Sequence, residues 1–533
     1  MFAILNPRSK IVQKTKSAKQ AEGLNLKRSV NHTGTNLKAQ PKARRETPRH
    51  KSNAINSNQR KRRTRNMGKK NNKRDSFGSN VGFLFAAVGS AVGLGNLWGF
   101  PYKLGANGGF AFLLLYLVLV VFAGYVLSMT EVALGRRTGK SVIPAYKKAS
   151  DGKMTFVGVF SALAPFLILG FYTYLGGYAV KYMVANFGDF FNASFGVNGE
   201  EGSAFFTALY TNQGESIVYT AIFMLATIIV VSKGIDSGIE KFNRYGMPAL
   251  FVILCIIVVR SCTLPGASEG IAFLVKPNFE VFKGTGWISV LASAGGQMFF
   301  SLSLGMGIMV TFGSYMDKNS NIPKSGIIVP ACDTLVAVLA AFAIMPAVFA
   351  FGMEPGSGPG LLFMTLQNVF NSMGSAGPLF GFLFYLLVVI AALSSSISVL
   401  EAIIASFIDS GIEKGKGNKR VFYAWLFGGL TFIEGVLVSL DGLGTYLPPM
   451  FGKFCWLDGF DLLSEGLLMP IAALLTTIYF GWIKKGYIEE EIASNVEFKS
   501  QKFYTFSLRY VAPLFCLLVL LGQIDTFFGF GWF

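Results

Sequence analysis

The chain has 533 residues, 52% of them hydrophobic and only 14% charged, with 48 Lys and Arg against 29 Asp and Glu. Long uncharged runs recur along it, a balance that excludes an ordinary soluble domain and points to a polytopic membrane protein. The formal charge of +19 suggests a nucleic-acid partner until its distribution is read: residues 1–74 hold 22 Lys and Arg against two acids, Glu22 and Glu46, leaving 26 basic and 27 acidic residues elsewhere.

The basic stretch, residues 1–73, is polar and nearly free of aromatics, so it cannot bury a core and is expected to be a disordered cytoplasmic tail. Met67, in Asn66-Met67-Gly68-Lys69-Lys70, is the expected true start, with the residues before it an over-long reading of the gene. No signal peptide is expected, because no apolar segment of the required kind precedes Val81. Residues 74–533 are then the membrane domain, and no nucleic acid is expected as a partner.

Windows of about 20 apolar residues predict eleven spans. They lie near 81–103, 109–134, 156–187, 216–232, 243–262, 288–315, 325–351, 378–409, 420–439, 451–483 and 503–525. Basic residues set the orientation. Arg136, Arg137, Lys140, Lys147, Lys148 and Lys153 follow the second span, Lys233, Lys241 and Arg244 the fourth, and Lys414, Lys416, Lys419 and Arg420 the eighth. The loop after the third span carries Asp189, Glu200 and Glu201 and no Lys or Arg. By the positive-inside rule the N-terminus is cytoplasmic, and the bilayer is expected to be the cell (inner) membrane.

Two spans carry an interruption. Ala91-Val92-Gly93-Leu94-Gly95-Asn96 breaks the first, and Ser301-Leu302-Ser303-Leu304-Gly305-Met306-Gly307 breaks the sixth. In hydrocarbon an unsatisfied backbone group costs several kcal/mol, so a broken span implies a ligand or a cavity. Glycine-interrupted helices in corresponding places of two five-span halves point to a secondary transporter with its site near the midplane.

Other chemistries find little support. Cys255, Cys262, Cys332, Cys455 and Cys516 all fall within or at the ends of spans, which argues against disulfides and metal spacing. His32 and His50 are the only histidines and both lie in the tail, which removes histidine catalysis from the membrane domain. No nucleophile–base pair, metal cluster or phosphate loop is visible, so no enzyme is expected. Read alone, Ser394, Ser395 and Ser396 fit either helix–helix packing by small residues or a polar site, and Tyr172 either an interfacial anchor or a mid-span ligand.

The pattern from Arg74 to about Phe515 resembles the prokaryotic branch of the neurotransmitter:sodium symporters, similar to the bacterial leucine and multi-hydrophobic amino-acid transporters. The motifs that carry it are Ala91–Asn96 followed by Phe100-Pro101, Asn107–Gly109, Gln297–Gly307 and Ala392–Ser398. The resemblance implies an all-α fold of about eleven transmembrane helices, a 5+5 inverted repeat with broken first and sixth helices.

It also implies two sodium sites, a first among Ala91, Asn96, Ser301 and Asp333 and a second among Gly89, Val92, Ala391, Ser394 and Ser395. Tyr172 would meet the substrate carboxylate. The broken ends at Ala91 and Gly95, with Ser301, would also contact the substrate, whose side chain would meet Ile168, Phe300, Ser303, Met306 and Val399, with Ser90 nearby. This apolar, compliant lining favours a hydrophobic or aromatic L-amino acid.

Arg74 and Asp409 match the family's cytoplasmic ion pair, with Phe77 in place of its usual tryptophan and Tyr315 close by. Asp461 matches the acidic residue of the outer gate, but its arginine partner is replaced by Gly99; Lys103, one turn on, is a candidate substitute. Gly238 and Pro248 resemble the motif whose unwinding opens the cytoplasmic path, and fit equally well an ordinary helix start. In animal members chloride is held by residues matching Tyr116, Gln297 and Ser301 and a neutral asparagine; that asparagine's position here is Asp333, so no chloride is expected. The implied activity is sodium-coupled import by alternating access. A substrate-sensing receptor or channel-like protein of the same fold stays open as the alternative.

Overall fold

The computed structural model describes residues 75–355 and 360–532. Among these the secondary structure is helical apart from one isolated antiparallel bridge, Met450 to Phe454. Among the described residues nine helices are long and apolar enough to cross a bilayer: Phe110–Thr138, Thr155–Asp189, Gln213–Ser232, Ile235–Cys262, Ile322–Ala350, Gly374–Glu413, Arg420–Asp441, Trp456–Ile483 and Gln501–Phe528. A tenth crossing is made by two helices, Asn80–Ala91 and Gly95–Ala106, bent by 42° at the break. The second interrupted stretch is Gly286–Ser301 followed by Ile308–Ser314. Together these occupy the eleven expected positions, and both breaks fall where the glycines placed them.

Two spans begin elsewhere than expected. The tenth starts at Trp456, not near 451, because the preceding segment is bent by positive φ at Gly442, Leu443, Gly444, Phe451 and Gly452 and by the pair Pro448-Pro449. Apolar content alone does not make a helix where the backbone is left-handed. The fifth starts at Ile235, eight residues earlier than expected, with a π-helical opening, Ile235–Glu240, that runs into Lys241–Cys262. Gly238 and Pro248 therefore both lie inside continuous helix, wound rather than open.

The third span, Thr155–Asp189, and the eighth, Gly374–Glu413, run against each other through the centre, and the eighth is the most enclosed of the long helices. Their small residues explain the close approach: the eighth carries Ala391, Ala392, Ser394, Ser395, Ser396 and Ser398, all buried, as expected where packing rather than water exclusion holds helices together. The first and sixth spans stand against this pair, which brings both breaks to the middle of the bundle.

Candidate functional site

Each break frees backbone groups that a helix would otherwise use. After Ala91 the ladder stops: the Gly93 amide donates to Asn96 Oδ1 at 3.0 Å and the Leu94 amide to the Tyr172 hydroxyl at 3.1 Å. The carbonyls a turn earlier are left to side chains. Ser395 Oγ donates to the Ser90 carbonyl at 3.1 Å and to Val92 at 3.4 Å, while Ser394 Oγ reaches the Val92 carbonyl at 3.3 Å and the Ala391 carbonyl at 2.8 Å. Gly89 packs against Asn243 of the fifth span, where a Cβ would collide with the amide. Val92, Ala391, Ser394 and Ser395 thus come together at the first break, while Gly89, the fifth residue expected there, faces Asn243.

The sixth break is a longer loop. Ser303, Gly305 and Gly307 have φ of 56°, 75° and 72°, a left-handed sequence that glycine tolerates and serine adopts only under constraint. Part of the constraint is Glu131 of the second span, 2% exposed, whose carboxyl accepts the Gly305 amide at 2.7 Å. Sequence reasoning passed over Glu131, although an acid inside an apolar run is itself a signal of function.

Between the breaks lies a small cavity. Its lining is Ser90, Ala91, Gly93, Gly95, Ile168, Tyr172, Phe300, Ser301, Ser303, Met306, Ser395 and Val399. All ten residues expected around a substrate are present, and Gly93 and Ser395 are additions. Tyr172 and Phe300 pack with ring centroids 6.3 Å apart, forming an aromatic wall beside the aliphatic Ile168, Met306 and Val399.

Beside the first break Asp333, wholly buried, gathers three donors. Asn96 Nδ2 donates to its Oδ1 at 2.7 Å, Ser301 Oγ to the same oxygen at 2.8 Å, and the Tyr116 hydroxyl to Oδ2 at 3.0 Å. Asn96, Ser301 and Asp333, three of the residues expected at a first ion site, are thus joined directly, and Ala91 lines the neighbouring cavity together with Ser301. Gln297 holds the adjoining edge, its Nε2 donating to the Gly95 carbonyl at 2.7 Å.

The gate residues fare unevenly. Arg74 lies outside the described residues. Asp409 accepts the backbone amide and the hydroxyl of Ser141 at 2.8 and 2.7 Å. Phe77 stands edge-on to Phe83, Phe312 and Tyr315, and its amide donates to the Tyr315 carbonyl. The Tyr315 hydroxyl leads into a network that the sequence did not suggest: it donates to Glu401 at 2.7 Å, Glu401 pairs with Arg420, and Arg420 Nε reaches Asp75 at 2.8 Å. Beside it Glu240 accepts the Gly78 amide at 2.9 Å and the Ser79 hydroxyl at 3.3 Å, tying the start of the first span to the π-helical opening of the fifth. At the opposite end Lys103 pairs with Glu465 at 2.6 Å, one turn beyond the expected acid Asp461.

An all-helical protein of many spans, with two of them interrupted around a shared cavity, has the build of a secondary transporter. The comparisons place it more closely. The model of the sodium:neurotransmitter symporter family matches residues 74–193 and 208–530. The uncharacterized sodium-dependent transporter YhdH of Bacillus subtilis (strain 168) is 36% identical over 452 residues, 84% of this chain and 97% of the relative. The sodium-dependent serotonin transporter of Drosophila melanogaster is 26% identical over 498 residues, 85% of this chain and 76% of that protein. Among solved structures, that of MhsT in complex with L-phenylalanine superposes with a TM-score of 0.76 at 34% identity, covering 85% of this chain and all of MhsT. The chain belongs to the sodium:neurotransmitter symporter family. It is a multi-pass, sodium-dependent transporter and not an enzyme.

Proposed function

We propose that the chain is a sodium-coupled symporter that imports a small hydrophobic or aromatic L-amino acid by alternating access, independently of chloride. The observation that carries this reading is the cavity between the breaks, whose lining joins freed helix ends to an aromatic and aliphatic wall. Freed amides suit a carboxylate and freed carbonyls suit cations. Tyr172, whose hydroxyl sits on the Leu94 amide, is placed to share a substrate carboxylate with that backbone. The wall of Ile168, Phe300, Met306 and Val399 offers no charge to a charged side chain, whose burial would be costly. That MhsT was crystallised with L-phenylalanine supports an aromatic or aliphatic substrate.

Sodium enters as co-substrate at two places. Ala91, Asn96, Ser301 and Asp333 would hold one ion, with the substrate carboxylate as a further ligand; Gly89, Val92, Ala391, Ser394 and Ser395 would hold the other. Both sets consist of hard oxygen donors, as a hard cation requires. The two sites share the first break, so filling them fixes the bend at 92–94 and prepares the Leu94 amide for the substrate. In this reading the first, second, sixth and seventh spans move as a bundle against the rest, the N-terminus is cytoplasmic, and the protein sits in the cell membrane. Residues 74–533 are the transporter and residues 1–66 are dispensable, so a chain starting at Met67 transports like the full one; loss of uptake on that truncation overturns this assignment.

The test is uptake into proteoliposomes under an inward sodium gradient, preceded by thermal-shift screening of the twenty amino acids with and without sodium. Stabilisation by one or a few hydrophobic amino acids, only with sodium, and their concentrative uptake are expected. Binding without uptake supports the sensor alternative instead, and stabilisation by a charged amino acid overturns the substrate class.

A further inference from the structure

The pair Lys103–Glu465 joins the first span to the tenth. Its nitrogen–oxygen distance is 2.6 Å and its side chains are only 15% and 7% exposed. Burying a lone ammonium or carboxylate is expensive, and a pair this enclosed persists only because each charge answers the other. It also touches the sixth span, where Gly296 gives way to it: a Cβ there would lie 2.9 Å from Glu465 Oε1 and would meet Gln523 of the last span as well. Asp461 and Tyr102 complete the surroundings.

Gly99 explains why the charge stands at 103. A Cβ at 99 would lie 2.8 Å from Gln297 Oε1, and Gln297 is fixed by its bond to the Gly95 carbonyl. A side chain at 99 would have to push the end of the Gln297 side chain aside. Lys103 and Glu465 are each four residues beyond the positions, 99 and 461, at which the resemblance puts the outer gate pair. The two spans run in opposite directions, so one partner moves a turn (about 5.4 Å) away from the cavity and the other a turn toward it. Helical side chains lean toward the N-terminus of their helix, so Lys103 leans back toward the cavity and Glu465 leans away from it. Their charged ends therefore meet at about the level of the original pair.

Resting on the transport reading above, we propose that Lys103–Glu465 is the extracellular closure of this transporter, holding the first and sixth spans to the tenth when the outer path is shut. Glu465, not Asp461, is the direct counter-charge.

The experiment measures outside access to the cavity. The five native cysteines are replaced, a single cysteine is introduced by Ile168→Cys, and a membrane-impermeant charged thiol reagent is added to intact cells with sodium present. Lys103→Gln and Glu465→Gln should each label on the order of tenfold faster than the parent, the scale expected when one partner of a buried pair is removed and the population shifts outward-open. Lys103→Arg should stay at the parental rate, and the swap Lys103→Glu with Glu465→Lys should move back toward it. Sodium-dependent thermal stabilisation identifies the variants that have folded, and where the swap does not fold, Lys103→Arg serves as the control. Parental labelling in both glutamine variants, or faster labelling in Asp461→Asn alone, overturns the assignment. Labelling needs no knowledge of the substrate; an unmodified protein that shows no sodium-dependent uptake of any amino acid sinks the transport reading, not the gate.

Discussion

The two candidate ion sites adjoin the same three-residue break and are built differently. The first is organised around a carboxylate: Asp333 collects Asn96, Ser301 and Tyr116 within 3.0 Å. The second has no charge among its expected ligands, only carbonyls and the hydroxyls of Ser394 and Ser395, with separations of 2.8 to 3.4 Å. Charge-assisted bonds are shorter and about twice as strong as neutral ones. The charged site should therefore fix the geometry of the break and select the cation, while the neutral one, held by weaker bonds, should release its ion more readily.

That contrast breaks most severely at Asp333. Asp333→Asn keeps the size and removes the charge, so sodium-driven uptake should fall on the order of a hundredfold, in line with the loss of one partner of a buried charge pair, or become dependent on chloride. Uptake at the parental level in chloride-free buffer would show that the carboxylate is only structural. A smaller effect is expected at Asn96. Asn96→Ala removes the donor to Asp333 and the acceptor for the Gly93 amide, and should weaken substrate binding and its sodium dependence together by roughly tenfold, the loss of one hydrogen bond to a charged group. Binding that is equal in sodium and choline buffer would argue against this site.

How far the sequence reached follows the same division between backbone punctuation and side-chain pairing. The breaks were legible because glycine clusters in an apolar run have few other meanings; six of the ten lining residues fall in the motifs Ala91–Asn96 and Gln297–Gly307, and Ser90, Ile168, Tyr172 and Val399 were legible only through the wider family resemblance. Segment 442–455 was not, since Met450 and Phe451 extend an apolar run and the left-handed turns that stop the helix are a tertiary outcome. The partners of isolated charges were also hidden. Arg420 read as one more basic loop residue until Glu401 and Asp75 came beside it, and Glu465 drew no attention because Asp461 already filled the expected role. Spacing locates residues along one helix, whereas a pair across the bundle needs the register between helices.

At the second site the expected change is smaller again. Ser395→Ala deletes a hydroxyl that bonds the Ser90 and Val92 carbonyls, a neutral contact worth about 1 kcal/mol, so the sodium concentration for half-maximal uptake should rise roughly fivefold with little change in substrate selectivity. A shift as large as that of Asn96→Ala would show that the two sites contribute alike, and the contrast drawn above would fail.

The smallest effect, none, is expected from replacing chloride by gluconate. An anion beside the first site would draw on Tyr116, Gln297 and Ser301, and here each already has an acceptor. Tyr116 and Ser301 donate to Asp333, and the Gln297 amide nitrogen donates to the Gly95 carbonyl. What Gln297 turns to its other side is Oε1, a buried acceptor without a partner among the described residues, and an acceptor repels an anion. With Asp333 as the fixed counter-charge of the proposed cation, a mobile anion would add a second negative charge to a buried cluster, at a cost that buried like charges cannot recover. Uptake in gluconate should therefore match uptake in chloride across the whole sodium range. Strong stimulation by chloride would mean that Asp333 does not carry its charge when sodium binds, and the charged and neutral sites would then have to exchange their roles.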